Sequence, residues 1–317
     1  MSSMVVGSKT ATRITGLAGQ IAVAFAIAAG SLAGAIVSPP SDAVAATPDS
    51  CPGIVLLGAR GSGEKANAVN GFGATVGTFA KHVEKRLDDT SVRRLAVGYG
   101  AASVNILVPS RAEAGLLTFG VFGPGAPELK ASQAAAAAAS YKVQRLDRYT
   151  ASINEGVRRA QEQLVTFHAD CPETAYILAG FSQGAMVMHQ TLLRLADEKR
   201  QGILDRIIAT VLIADGDRVK NTAAIQVGSA SGDAQGIRSA LSFQERDSRP
   251  RQDMVVYDVC VKNDLVCDFS LLRVVKPSAA ATRAAVARSA EIHGSTYRAT
   301  DNPLLAEVAR AIADQRR

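Results

Sequence analysis

Ser182 stands at the centre of Gly180-Phe-Ser182-Gln-Gly184, a G-x-S-x-G pattern. An apolar run, Ala175-Tyr-Ile-Leu-Ala-Gly-Phe181, leads in as a strand, and Gln183 to Glu198 leads out with helical spacing. A sharp strand-to-helix turn needs glycine on both sides, because a Cβ there would collide with neighbouring backbone. Such a turn pushes the Ser182 hydroxyl out of the sheet. It also aims the N–H of Gln183 and the helix N-terminus at the oxygen that gains charge. The chemistry implied is nucleophilic attack by Ser182 on an acyl carbon. Without the flanking strand and helix the same five residues would read as a Gly-rich turn.

A serine hydroxyl needs a base, and the base needs a carboxylate to orient it. Four histidines are available. His82 sits in the helix before the second strand, and His168 lies at the sheet edge opposite Ser182. His189 is seven residues into the helix after Ser182, roughly 10 Å along its axis. His293, in Glu-Ile-His293-Gly-Ser-Thr-Tyr297, falls in an expected late loop and completes the chain order Ser, Asp, His. For the carboxylate, Asp264 sits between Cys260 and Cys267, just after a strand, where a closed cysteine ring would hold the loop still. The rivals are Asp215 and Asp217, at the end of an earlier strand, whose other reading is turn or helix-cap chemistry.

These residues require a scaffold of alternating strands and helices. Strands are expected at 53–59, 92–99, 175–181, 207–213 and 254–259, with helices at 72–87, 141–167, 183–198 and 303–313. The pattern predicts an α/β fold: a doubly wound, about five-stranded parallel sheet between helical layers. Residues 100–140, 215–250 and 268–292 read as insertions in one domain over 46–317. The segment before it has a basic start (Lys9, Arg13), an apolar centre at Ile21–Ala29 and an Ala43-Val44-Ala45 site. It reads as a signal peptide over 1–45, with a retained anchor as the rival. Export would place the chain in an oxidising exterior. Cys51, Cys171, Cys260 and Cys267 are then two disulfides, a zinc site or four buried thiols; no C-x2-C pair accompanies them, so no metal is expected.

The composition excludes other classes. Of 317 residues, 47% are hydrophobic and 20% charged, which is globular. Aromatics are 5% with no Trp, so an aromatic-stacking nucleic-acid binder is not expected. The net charge of +6 is spread among scattered Lys and Arg and reads as a solvated surface.

Three motifs together resemble the cutinase family. Gly-Phe-Ser182-Gln-Gly is similar to its Gly-Tyr-Ser-Gln-Gly and follows Cys171 by eleven residues. Arg60-Gly61-Ser62 stands where the family carries Arg-Gly-Ser/Thr, with Ser62 eleven residues after Cys51. Cys260-Val-Lys-Asn-Asp264-Leu-Val-Cys267 is similar to C-x3-D-x-V-C. The resemblance implies an α/β-hydrolase with Ser182, Asp264 and His293 as catalytic residues. It assigns the oxyanion hole to the N–H of Gln183 and to Ser62. With Cys51 preceding the first expected strand and Cys171 the third, at the same edge of a parallel sheet, it also selects the pairs Cys51–Cys171 and Cys260–Cys267. One departure stands out: fungal cutinases place the histidine soon after the second cysteine, whereas Cys267 and His293 are 26 residues apart here.

The expectation is a secreted, monomeric serine esterase that needs no cofactor and acts on acyl esters, polyesters or lipids. A phospholipase or thioesterase on the same triad is the near alternative. A non-catalytic envelope binding protein is the distant one. The apolar segment Leu116–Phe122 is a candidate cover for an acyl groove.

Overall fold

A computed structural model describes residues 51–102, 127–240 and 246–316. The signal-peptide reading over 1–45 and the proposed groove cover at 116–122 lie outside the described residues. Among those described, six parallel strands form one sheet in the order β2-β1-β3-β4-β6-β5. They are β1 (Ile54–Ala59), β2 (Val92–Ala96), β3 (Ala175–Phe181), β4 (Ile207–Ile213), β5 (Ile225–Val227) and β6 (Val256–Val259). The sheet has one strand more than the sequence predicts. The extra strand, β5, is three residues at the sheet edge with Ile225 and Gln226 exposed, so it carries no apolar run to read.

The central strands are buried on both faces, as parallel strands between helices must be. Their side chains divide by the two-residue period. Val55, Leu57, Tyr176, Leu178 and Leu212 meet α2 (Pro127–Asp170) and α3 (Gln183–Asp197) on one face. Ile54, Leu56, Ile177, Ala179, Val211 and Ile213 meet α1 (Gly73–Arg86) and α5 (Pro303–Asp314) on the other. Helix α2 supplies Tyr149, Ile153, Val157, Ala160 and Leu164, a three-to-four-residue stripe that fits one helix face. Helix α5 starts where Asn302 accepts hydrogen bonds from the N–H groups of Leu304 and Leu305 (3.1 and 3.3 Å), with Pro303 behind the cap.

Two segments depart from expectation. Helix α2 begins at Pro127, not Tyr141, so part of the stretch read as irregular is helical. The approach to His293, read as a loop, contains α4 (Ala279–Ser295), capped by Ser278, whose Oγ accepts from Ala281 N. Both are Ala-rich. Alanine favours helix strongly but marks neither face of it, so the 3.6-residue period is faint.

The order β2-β1-β3 means that the chain leaves β1 in one direction and, on its return, builds from β3 in the other. Open sheets of this kind bind ligands at the C-terminal strand ends beside that reversal. Ser62 follows β1 and Ser182 follows β3, so both stand at this switch point. No described helix is long and apolar enough to cross a membrane.

Candidate active site

Ser182 occupies a backbone conformation that L-residues rarely adopt, φ 55° and ψ −117°. The strain is held from both sides. Its N–H donates to Ile213 O (2.8 Å), and its carbonyl accepts from Ala185 N (2.9 Å) as α3 begins. The two glycines are required sterically. A Cβ on Gly180 would stand 2.1 Å from Gly184 O, and one on Gly184 would stand 2.0 Å from Ala59 O. The turn is thus wedged against the end of β1 and projects Ser182 toward α4. Strained backbone of this kind persists where the surroundings over-determine it.

The structure brings Ser182, His293 and Asp264 into one line. His293 Nε2 lies 2.9 Å from Ser182 Oγ, and His293 Nδ1 lies 3.0 Å from each Asp264 oxygen. All three are buried. A carboxylate only accepts, so Nδ1 carries the proton, and the Nε2 lone pair is left to accept the Ser182 hydroxyl proton. His293 sits in the last turn of α4, not in a loop. That helix is fixed to the Asp264 loop by packing of Leu265, Val274, Val275 and Val286.

Asp264 is held by more than the histidine. Its Oδ1 accepts from the N–H groups of Val266 (2.7 Å) and Cys267 (3.1 Å), and its Oδ2 accepts from the Tyr297 hydroxyl (3.1 Å). Burial alone would raise this carboxyl, but the His293 partner and the two backbone donors outweigh it, and Asp264 is held below the usual carboxylate range. The turn that presents it is closed by the Cys260–Cys267 disulfide, and the Cys51–Cys171 disulfide joins the segments before β1 and β3. All four cysteines are therefore paired.

Ser62 and Gln183 face a shared partner, Tyr149 of α2. Ser62 Oγ lies 3.4 Å from the Tyr149 hydroxyl, and Gln183 Nε2 donates to Tyr149 O (3.5 Å). The N–H of Gln183 is the first of α3 and has no partner within the helix, so it points toward the site with the positive end of the helix dipole. The loop carrying Ser62 is pinned by Arg60, whose guanidinium donates to Glu64 O (3.0 Å) and Tyr99 O. Glu64 in turn accepts from Gly61 N (2.7 Å) and Ala74 N (2.8 Å), tying the loop to the start of α1. The Arg60-Gly61-Ser62 motif is thus an anchor, a tight turn and a functional candidate in succession.

The rival carboxylates are engaged elsewhere. Asp215 Oδ2 lies 2.6 Å from His189 Nδ1, and His189 Nε2 donates to Arg246 O (3.0 Å). Asp217 pairs with Arg238 (3.0 Å). Ligand atoms of His189, Asp215 and Asp217 gather within 4.8 Å, the one described group that could surround a cation. Both ring nitrogens already have partners, and His189 with Arg238 supplies the positive charge there. His168 stands beside Tyr176, away from Ser182. Sequence reasoning missed Tyr149, Tyr297 and the role of Phe181, whose ring stacks on His293; each acts across a long stretch of chain and leaves no local pattern.

A family model described as Cutinase matches residues 110–277, just over half of the chain. The chain belongs to the cutinase family. The match takes in Ser182 and Asp264. A carboxylesterase Culp6 homolog of Corynebacterium glutamicum is 31% identical over 141 residues, 38% of this chain and 43% of that protein. The chain thus spans less than half the length of this curated relative. Among solved structures, the chain is similar to the catalytic core domain of acetyl xylan esterase from Trichoderma reesei, at TM-score 0.47 and 17% identity. The alignment covers 84% of this chain and 98% of the other. It is also similar to a cutinase-like protein from Cryptococcus sp., at TM-score 0.45 and 19% identity, covering 78% and 98%.

Proposed function

We propose that this member of the cutinase family is a secreted serine esterase that hydrolyses carboxylic esters of short- to medium-chain acyl groups. The observation that carries the reading is the unbroken line from Ser182 Oγ through His293 to Asp264, with Ser182 on a strained turn at the sheet's switch point. A protein that only bound its ligand would gain nothing from that strain.

Ser182 Oγ attacks the acyl carbon while its proton passes to His293 Nε2. The carbonyl oxygen becomes an oxyanion, met by the N–H of Gln183 and by Ser62 through its N–H and hydroxyl. Collapse expels the alcohol, which leaves with the proton from His293, and Ser182 remains acylated. Water then attacks the acyl carbon, giving its proton to His293. The second collapse releases the acid and returns the proton to Ser182. Asp264 keeps the imidazole in the required tautomer and stabilises the imidazolium formed in each half.

The signal-peptide reading of 1–45 and the two disulfides support secretion; the proposal takes 46–317 as one catalytic domain acting as a monomer. The test is labelling with a fluorophosphonate probe. Wild-type protein is expected to be labelled at Ser182, and Ser182→Ala is not. A panel of acyl esters, phospholipids and thioesters then separates the esterase from a phospholipase or thioesterase. Absence of label on wild-type Ser182 overturns the reading.

A further inference from the structure

We propose that Tyr297 is a positioning residue of this site, a fourth member of the line that sets the strength of the Asp264 carboxylate through its phenol. The inference rests on the triad proposed above. Tyr297 lies one turn beyond His293 as α4 ends, so both side chains return to the same side. It is fully buried.

The direction of its hydrogen bonds is fixed by its partners. The N–H of Val261 can only donate, and it meets the Tyr297 oxygen at 3.0 Å. Asp264 Oδ2 can only accept, and it meets the same oxygen at 3.1 Å. The phenol proton therefore points at the carboxylate. Burial and the Asp264 charge push the phenol well above its ordinary range, so the proton stays in place throughout the working pH. Val261 begins the loop that ends at Cys267, and Cys267 Sγ lies 3.7 Å from the same hydroxyl. One side chain thus braces the loop and donates to its carboxylate. Among the described residues, further charges near this loop are Asp258 on β6, which pairs with Arg218 (2.6 Å), and Asp268, which pairs with Arg273 (2.8 Å).

The consequence for catalysis follows from charge. Asp264 Oδ2 faces both His293 Nδ1 and the phenol. With the phenol present, part of the carboxylate charge is drawn away from the imidazole. Without it, the carboxylate holds the imidazole proton more tightly, so the free base forms only at higher pH, and the carboxylate also gains freedom to rotate.

The test compares wild type with Tyr297→Phe, using ester hydrolysis and the pH dependence of fluorophosphonate labelling, with rates normalised to folded protein. The expected result is a kcat lower by roughly tenfold at unchanged KM, with the acid limb of kcat/KM and of labelling moved to higher pH. If wild-type Ser182 is not labelled, the esterase reading falls and takes this proposal with it. If wild type is labelled and Tyr297→Phe matches it in kcat and acid limb, only the role of Tyr297 is overturned. A lower kcat with an unmoved limb also overturns it, because lost packing alone would give that result. Should the Phe variant not fold, 3-fluorotyrosine at position 297 keeps the shape with a stronger donor. The acid limb then moves to lower pH, and an unmoved limb overturns the proposal.

Discussion

The ring of Phe181 lies flat against the imidazole of His293, with centroids 5.1 Å apart and planes 16° from parallel. Phe181 is the last residue of β3 and adjoins Ser182, so the residue before Ser182 forms a wall for the His293 imidazole. The face of an aromatic ring attracts a cation. In the proposed reaction His293 takes up the Ser182 proton, so the contact strengthens as the transition state forms. Phe181→Leu should lower kcat by about threefold to tenfold at unchanged KM, and Phe181→Tyr should stay near wild type. Steady-state kinetics on one ester with all three proteins checks both.

The two disulfides should separate under mutation. By loop-entropy arithmetic, the Cys51–Cys171 bridge, closing 120 residues, stabilises by at most about 5 kcal/mol and the Cys260–Cys267 bridge, closing seven, by about 2.5 kcal/mol. Catalytic importance runs the other way, because only the smaller ring holds Asp264. Replacing Cys51 and Cys171 by Ser should lower urea stability more while leaving kcat of the folded fraction intact. Replacing Cys260 and Cys267 should cost less stability and more kcat.

His189 gives stability an alkaline limit. Both its nitrogens face acceptors, Asp215 and the Arg246 carbonyl, so the buried ring is an imidazolium. Burial alone would lower its pKa, but Asp215 outweighs that and His189 is pushed up to about 9. A group raised on folding stabilises fully below its unfolded value, about 6.5, and loses that contribution as pH rises through the folded value. Wild type should therefore lose on the order of 3 kcal/mol between those limits. Asp264 works in the opposite sense: its lowered carboxyl stabilises above about pH 4 and is lost on further acidification. Urea midpoints against pH should show the alkaline slope in wild type and not in His189→Gln.

Gly184→Ala should be destabilising by about 3 kcal/mol or more, because its Cβ meets the backbone oxygen of Ala59, which cannot swing aside. The urea midpoint reports the loss. Residual folded protein should also be poorly active, since β1 must retreat and carry the Ser62 loop with it.

Legibility in the sequence followed the range of the interactions. The turn around Ser182 was readable because its requirement for glycine is local. Asp264 was readable because two cysteines bracket it, and His293 through chain order. Its helix was not, because Ala279–Ser295 has too few large apolar residues to show a face. The same holds for the Ala-rich start of α2. Tyr149 and Tyr297 were invisible, because their partners lie 87 and 33 residues away and a hydroxyl at that distance imposes no spacing.

Strands β1 and β3 pair in register as far as Ala59 beside Gly180, and Ser62 and Ser182 leave from those two ends. Neighbouring strands stand about 4.8 Å apart, a spacing set by the peptide hydrogen bond itself. The separation between Ser182 and the Ser62 loop is therefore gauged by backbone, as on a ruled scale, and not by any surface loop. Length added between β2 and β3, or on the way to His293, leaves that spacing untouched.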